Sequence, residues 1–364
     1  MPLRILTVNA GSSSVKLSVV EDGDVTTLST STGAPGDDAV ADLRDFVSRA
    51  DRLDAVGHRL VHGGDLFTAP VIVTDSVRMQ LEQVSELAPL HMPPALALLD
   101  AAMSMLDVAQ VACFDTAFHA TLPEAARIYA IPSRWRDLGV RRYGFHGLSC
   151  AWSLQRAAAL LDREPSDLQL VVAHLGAGAS VTAIRDGRSV DTSMGFTPLE
   201  GLVMATRSGS VDPGALTWLQ HHSGVDAAEM ERRLEHESGV LALAGTADLR
   251  EVEQRAAGGD AVALLATAVY AHRAAACIAS VAASLQRLDA LVFTGGVGEH
   301  SHAMRSDICA RLATLGVPST LRERDDKQDC VVSNAADTPL VLVVTAREDL
   351  QMAREVRSLV SLAP

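Results

Sequence analysis

The chain has 364 residues, of which 48% are apolar and 21% charged; that is enough apolar side chain for two cored domains and excludes a disordered chain. Twenty-six Gly and fourteen Pro exclude collagen-like and low-complexity classes. A formal net charge of -14 argues against nucleic acid or an anionic membrane as partner, because both favour basic patches, while local Arg clusters can still receive anionic substrates.

Taken in chain order, Leu3–Val8 reads as a strand that enters the turn Asn9-Ala10-Gly11-Ser12-Ser13-Ser14. Val15 to Val19 alternate with period two, which predicts a strand with one buried face, and Asp22-Gly23 is a hairpin signal. Thr30–Asp38 reads as loop, Ala39–Ala50 as helix, and Leu53–His62 as a strand ending in Gly63-Gly64. Asp75–Leu87 predicts a helix with an Asp or Thr cap, stopped by Pro89. His91-Met92-Pro93-Pro94 opens another helix through Leu106, with proline tolerated in its first turn. Val108–Phe114 reads as a buried strand ending at Asp115, Leu148–Leu161 as helix, and Leu170–His174 as a strand entering His174-Leu175-Gly176-Ala177-Gly178-Ala179-Ser180. Val181–Ile184 and the turn Asp186-Gly187 follow. Ala261–Leu288 is greasy but contains His272 and Arg273, and reads as a buried helix rather than a span of ~20 uninterrupted apolar residues. Strand Ala290–Phe293 runs into Thr294-Gly295-Gly296-Val297-Gly298-Glu299-His300, and Leu340–Thr345 leads to Glu348-Asp349 and a terminal helix through Leu359.

Strand, Gly/Ser turn, strand and Asp-Gly hairpin thus occur twice, about 165 residues apart, pairing Gly11 with Gly176, Ser14-Val15 with Ser180-Val181 and Gly23 with Gly187. In-order matches at domain spacing predict two copies of one βββαβαβα domain; the alternative is two unrelated hairpins in one α/β protein. Three glycine turns after strands suit a polyphosphate in an interdomain cleft, because glycine lets backbone N–H groups approach phosphate oxygens. No G-x-x-x-x-G-K-[ST] is present, and Val181 breaks G-x-G-x-x-G after Gly178, so neither a P-loop nor a Rossmann site is expected. His58 and His62 sit four apart, but on a strand they lie ~13 Å from each other and cannot chelate one ion. Arg59 between them, beside a Gly-Gly turn, is a candidate anion ligand. The five scattered cysteines lack any C-x-x-C, which predicts reduced thiols and a cytoplasmic protein. Asn9, Gly11–Ser14 and Lys16 break any apolar signal-peptide core.

Nine segments in order carry a family resemblance: NAGSSSVK (9–16), GHRLVHGG (57–64), APLHMPP (88–94), FDTAFH (114–119), RRYGFHG (141–147), HLGAGAS (174–180), DTSMGFTPLEG (191–201), TRSGSVDPG (206–214) and GGVGEHS (295–301). The chain resembles the acetate kinase family, of the acetate and sugar kinase, Hsc70 and actin superfamily. The resemblance implies two duplicated βββαβαβα domains of the actin-like, ribonuclease H-like α/β fold with an interdomain cleft. Residues 1–118 plus 346–364 would form one domain and 119–345 the other.

It further implies reversible phosphoryl transfer from ATP to acetate. By resemblance Arg59 and Arg207 flank the transferring phosphoryl, His146 is a further donor, and Asp115 is the family's proton donor or acceptor. An acid of pKa roughly 4–5 is already ionised at pH 7 and needs no base, so Asp115 is read instead as positioning magnesium or an arginine. Val61, Leu90, Phe145 and Pro198 match the methyl pocket; their bulk predicts acetate over butyrate. Lys16, His174, Leu175, Gly176, Ala177, Gly178, Asp248, Leu249, Arg250, Gly296, Val297, Gly298, Glu299 and His300 match nucleotide positions. Asn9 and Glu348 match the magnesium positions, with manganese a substitute. A homodimer is implied as well. Met92, Ala95, Ala177, His300 and Arg347 depart from the family pattern, which leaves ATP against GTP open. The alternatives are a propionate or other short-chain acyl kinase, a chaperone-like ATPase of the same fold, and a sugar kinase.

Overall fold

Glycine and aspartate at two hairpins set the architecture. Gly23-Asp24 and Asp186-Gly187 adopt left-handed backbone (φ 77° at Gly23, 61° at Asp24, 54° at Asp186, 74° at Gly187), the conformation whose twist matches that of paired strands. The computed structural model describes residues 3–11, 14–33, 37–324 and 328–361. Ser12 and Ser13 of the first glycine-serine turn, and residues 34–36 of the expected loop, lie outside the described residues.

Two compact units result. Unit 1 comprises residues 1–120, 145–152 and 347–364; unit 2 comprises 121–144 and 153–346. Unit 1 holds strands β1 (Ile5–Ala10), β2 (Val15–Glu21), β3 (Val25–Ser31), β4 (Ala55–Leu60), β5 (Val71–Ile72) and β6 (Ala109–Phe114) in the order β3-β2-β1-β4-β6-β5. Unit 2 holds β7 (Gln169–Leu175), β8 (Ala179–Arg185), β9 (Arg188–Thr192), β10 (Ala290–Thr294), β11 (Cys330–Val331) and β12 (Leu340–Val343) in the order β11-β12-β10-β7-β8-β9. In each sheet the first three strands are antiparallel, β4 and β6 run parallel to β1 as β10 and β12 do to β7, and the two-residue edge strands β5 and β11 pair antiparallel. That shared order is the duplication expected from the repeated turns. Its register differs by one gap. Ala10 pairs with Val15 and Leu175 with Ala179, so Val15 corresponds to Ala179, not Val181, because the first connection is one residue longer.

Strand β2 was expected to bury one face, yet of Val15 to Val20 only Lys16 is exposed. Both faces of the sheet are covered. Val15, Leu17 and Val19 join Leu43, Phe46, Leu96 and Leu99 on one side. The C-terminal helix Glu348–Val360 packs on β1, β2, β4 and β6. Gly57 permits that approach: a Cβ there would stand 2.8 Å from Val356 Cγ2. The helix expected over 75–87 is α-helical only to Val84 and ends in a 3-10 turn, with Thr74 Oγ1 accepting from Val77 N as its cap. The segment 295–298 (Gly-Gly-Val-Gly), expected as a turn, begins a short helix, Gly295–His300. In unit 2 the helix Ala261–Ala282 has the length and apolarity of a membrane span. It presents a helical-period stripe (Ala263, Ala266, Tyr270, Ala271, Ala274, Ile278) that is buried, and it packs on β7 and β8. None of the five cysteines is in a disulfide.

Candidate active site

Side chains alternate along a strand, so residues two apart share a face. Asn9 and Arg59 are the penultimate residues of β1 and β4, and Asp115 immediately follows β6. These three strands are parallel neighbours, so the three residues gather at their carboxyl ends, where open α/β sheets bind ligands. Glu348, the first residue of the C-terminal helix, completes the cluster. Arg59 Nε donates to both Asp115 oxygens at 3.1 Å, Nη2 donates to Oδ2 at 2.5 Å, and Nη1 donates to Asn9 Oδ1 at 3.3 Å and Ala10 O at 3.1 Å. Asn9 Nδ2 donates to Glu348 Oε2 at 2.8 Å, and Arg59 Nε lies 3.9 Å from that same oxygen. Lys16 pairs across the ladder with Asn9, which puts its side chain on the same face.

Burial works against the Arg59 charge, but Asp115 and Glu348 outweigh it and raise its pKa. Burial pushes the Asp115 carboxyl above its ordinary value against the pull of Arg59, with Glu348 adding to the push. One guanidinium among two carboxylates leaves the ionised cluster with a residual negative charge. Asn9 meets Glu348 through its amide Nδ2 while its Oδ1 accepts from Arg59; an Asn carbonyl oxygen and a neighbouring carboxylate are nevertheless the hard oxygen donors that a magnesium ion retaining most of its waters takes.

The loop after Gly144 is pinned to this cluster. Gly147 N donates to Asp115 O at 2.9 Å, and a Cβ at Gly147 would lie 2.3 Å from that oxygen. His146, just before it, has φ 59°, a strained value for a non-glycine residue of the kind that gathers at functional sites. Phe145 is buried, with His62 edge-on at 5.5 Å and its carbonyl 2.9 Å from His119 Nε2. Val61 is buried with them, whereas Leu90 is 53% exposed; the expected methyl-pocket residues of this unit are therefore not uniformly enclosed. His58 Nε2 meets Gln110 Oε1 at 2.8 Å, and His62 Nδ1 accepts from Gly64 N at 2.8 Å. No set of three or more His, Cys, Asp or Glu able to hold a metal occurs among the described residues.

Burial lowers His58, His62 and His119 to about 4. Their folded pKa lies below the unfolded value, so the unfolded chain gains protons first and stability is lost as pH falls from about 6.5 to 4. Glu355, raised to about 7 chiefly by burial, and Asp115 oppose this, but three histidines outnumber them. The melting temperature is expected to drop over that window, and His58→Gln should flatten the drop; a profile level from pH 6.5 to 4 would contradict the assignment.

In unit 2, Arg207 Nε donates to Glu235 Oε2 at 2.5 Å, with both side chains largely buried. Among the described residues its two terminal nitrogens make no hydrogen bond, so two donor groups remain for an oxyanion. The loop carrying it is clamped: Ser238 N donates to Thr206 O and Val240 N to Met204 O, both at 2.9 Å. Gly239 (φ 65°) is required there, since its Cβ would lie 2.2 Å from Met204 O. Ala177 O accepts from Ala205 N at 3.1 Å, which ties the His174–Gly178 turn to the same loop. Gly176 approaches the second glycine segment, with a Cβ there 3.9 Å from Gly296 N. Asp248 caps the helix Leu249–Ala257 through Arg250 N and pairs with the Arg250 guanidinium at 2.7 Å, both exposed, while Leu249 is buried. Pro198 is half-buried.

Sequence reading missed Glu235, Glu355 and Cys113. Glu235 gives no signal, being one acid in an acidic amphipathic helix. Glu355 lies seven residues after Glu348, on the same helix face, and bonds Gln351 Nε2 at 3.1 Å and the Cys113 thiol.

A family model described as the acetokinase family matches residues 37–354. An acetate kinase of Arthrobacter sp. (strain FB24) is 42% identical over 99% of both chains. The crystal structure of Porphyromonas gingivalis acetate kinase has a TM-score of 0.88 at 33% identity, covering 98% of this chain and 100% of that one. A propionate kinase from Francisella tularensis subsp. tularensis SCHU S4 has a TM-score of 0.89 at 34% identity, covering 97% and 98%. The duplicated sheets are thus those of the two-domain, actin-like fold of these structures. A family match over most of the sequence, joined to a relative aligned end to end, shows that this chain belongs to the acetokinase family.

Proposed function

We propose that the chain is an acetate kinase, a phosphotransferase moving the γ-phosphoryl of ATP to acetate and back from acetyl phosphate to ADP. The observation that supports it most is the buried Arg59 fork, held by Asp115 and Asn9 beside Glu348, in a chain of this family. In the forward direction a carboxylate oxygen bonds to phosphorus as the bond from phosphorus to the β,γ-bridging oxygen breaks. Both reactants are anions, so the protein's task is positioning and charge compensation. Arg59 and Arg207 supply the charge, and His146 adds a donor. Asp115 holds the Arg59 fork, and no group need deprotonate an acceptor already ionised at neutral pH.

Asn9 and Glu348 would hold magnesium, which when bound supplies charge neutralisation on the phosphate oxygens. Lys16, the segment 174–178, Gly296, Val297, Gly298 and His300, and Asp248–Arg250 are proposed as the nucleotide positions. Residues 1–118 with 346–364, and 119–345, are proposed as the two functional domains. The free thiols support a cytoplasmic setting. Exposed Trp218, Leu219, Val262, Leu264 and Leu265 supply apolar surface for a homodimer, which sedimentation velocity would read as twice the chain mass.

A propionate kinase is the second reading, favoured by the Francisella structure and by the exposure of Leu90. Trapping acyl phosphate with hydroxylamine over acetate, propionate and butyrate separates them. One methylene is worth about 1–3 kcal/mol, or 10–200-fold, in an apolar pocket, so kcat/KM should fall from acetate to propionate to butyrate. Butyrate turned over as well as acetate would overturn the pocket assignment.

A further inference from the structure

Glu299 sits among the glycine-segment residues that resemble a nucleotide site, yet its carboxylate is committed inside the protein. It is 8% exposed. Oε1 accepts from Ala346 N at 2.9 Å, and Oε2 lies 3.5 Å from Arg324 Nη1, whose side chain is 5% exposed. Arg324 Nη2 donates to Thr345 Oγ1. Arg305, 1% exposed, donates from Nη1 to Gly298 O at 2.9 Å and Glu299 O at 3.0 Å. Two buried guanidiniums therefore grip the end of the Gly295–His300 helix, and both Glu299 and Arg324 reach the segment Thr345–Ala346.

That segment is where the chain changes units. It leaves unit 2 after Ala346 and enters unit 1 at Arg347. Arg347 is fixed on its own side, donating to Thr26 Oγ1 at 2.6 Å and to Asp349 Oδ1 at 2.9 Å. Glu348 follows next. A buried ion pair is a costly way to hold a loop, since each charge is stranded when the other is removed. Resting on the function proposed above, we propose that Glu299 is a positioning residue. It ties the glycine helix to Ala346 N–H, two residues before Glu348, and so steadies the backbone that leads into that proposed metal position, while making no direct contact with nucleotide.

The test needs no turnover. Glu299→Ala removes both bonds, whereas Glu299→Gln keeps a carbonyl oxygen for Ala346 N–H. Hydrogen exchange at the amides of residues 345–349 and Mn2+ binding by electron paramagnetic resonance are measured on both, with ADP binding alone as control. Loss of a group that orients a ligand typically weakens metal binding about 10–100-fold. Glu299→Ala is expected to show that loss with faster exchange at Ala346, Glu299→Gln to recover most of both, and ADP affinity to stay within about threefold on the same principle of indirect positioning. If Glu299→Ala does not fold, Glu299→Asp takes its place, keeping the charge but falling a methylene short of Ala346. A fall in ADP affinity with unchanged Mn2+ binding, or equal damage in Glu299→Ala and Glu299→Gln, overturns the proposal. Failure of the wild-type protein to form acyl phosphate would sink the acetate kinase reading instead and would leave the exchange result standing.

Discussion

Arg59→Leu is expected to lower kcat by roughly 10³–10⁵-fold, the range for removing an arginine that stabilises a transferring phosphoryl. The same change should destabilise the fold by about 3–5 kcal/mol, because it leaves Asp115, a 1% exposed carboxylate, without its countercharge. The two losses can be told apart. In Arg59→Leu/Asp115→Leu the stranded charge is gone too, so stability should return while activity does not. Arg59→Lys should behave almost as badly as Arg59→Leu. A lysine ammonium is a point charge and cannot span both Asp115 oxygens, Asn9 Oδ1 and Ala10 O, as the guanidinium does. Steady-state kinetics with thermal melts on the four proteins would check this; a lysine variant with near-normal kcat would remove the bidentate argument.

Arg207→Leu should cost about 10²–10³-fold in kcat, the cost of deleting one preorganised donor to a developing oxyanion. Its stability loss should be smaller, since Glu235 sits nearer solvent than Asp115 does. The more informative variant is Glu235→Gln. It keeps the Arg207 charge and an oxygen for Nε but gives up the charge-assisted bond, so the fork is aimed less firmly. A loss of kcat of about tenfold with the KM for acetate little changed is expected, because positioning of a transition-state donor shows in kcat. A large rise in KM alone would mean that Glu235 shapes the acid pocket.

Much of this was legible in the chain. The two Asp-Gly hairpins and the glycines after strands revealed the duplicated sheets, because left-handed turns admit few residue types. Arg59 stood out because a strand-end cation before Gly63-Gly64 suits an anion and lies in the GHRLVHGG segment; alone it would read as an ordinary ion pair. Other features were invisible for physical reasons. The burial of both faces of β2 depends on a helix arriving from residue 348. The partnership of Arg207 with Glu235 joins a loop to a helix 28 residues later, and no spacing rule encodes it. Gly57 reads as an ordinary strand residue until Val356 is laid against it. Glu299 lay in a motif that suggested a ligand contact, yet in the fold both its oxygens are taken, by Ala346 N–H and Arg324.

The function proposed above has Arg59 and Arg207 acting on one transferring phosphoryl. The most direct test is a double-variant cycle in acetyl phosphate formation, comparing Arg59→Leu, Arg207→Leu and the pair. Residues that act as a unit lose activity non-additively, so the pair should be about as impaired as the worse single variant. A pair whose loss equals the product of the two single losses would show the two arginines working independently, and would contradict the account.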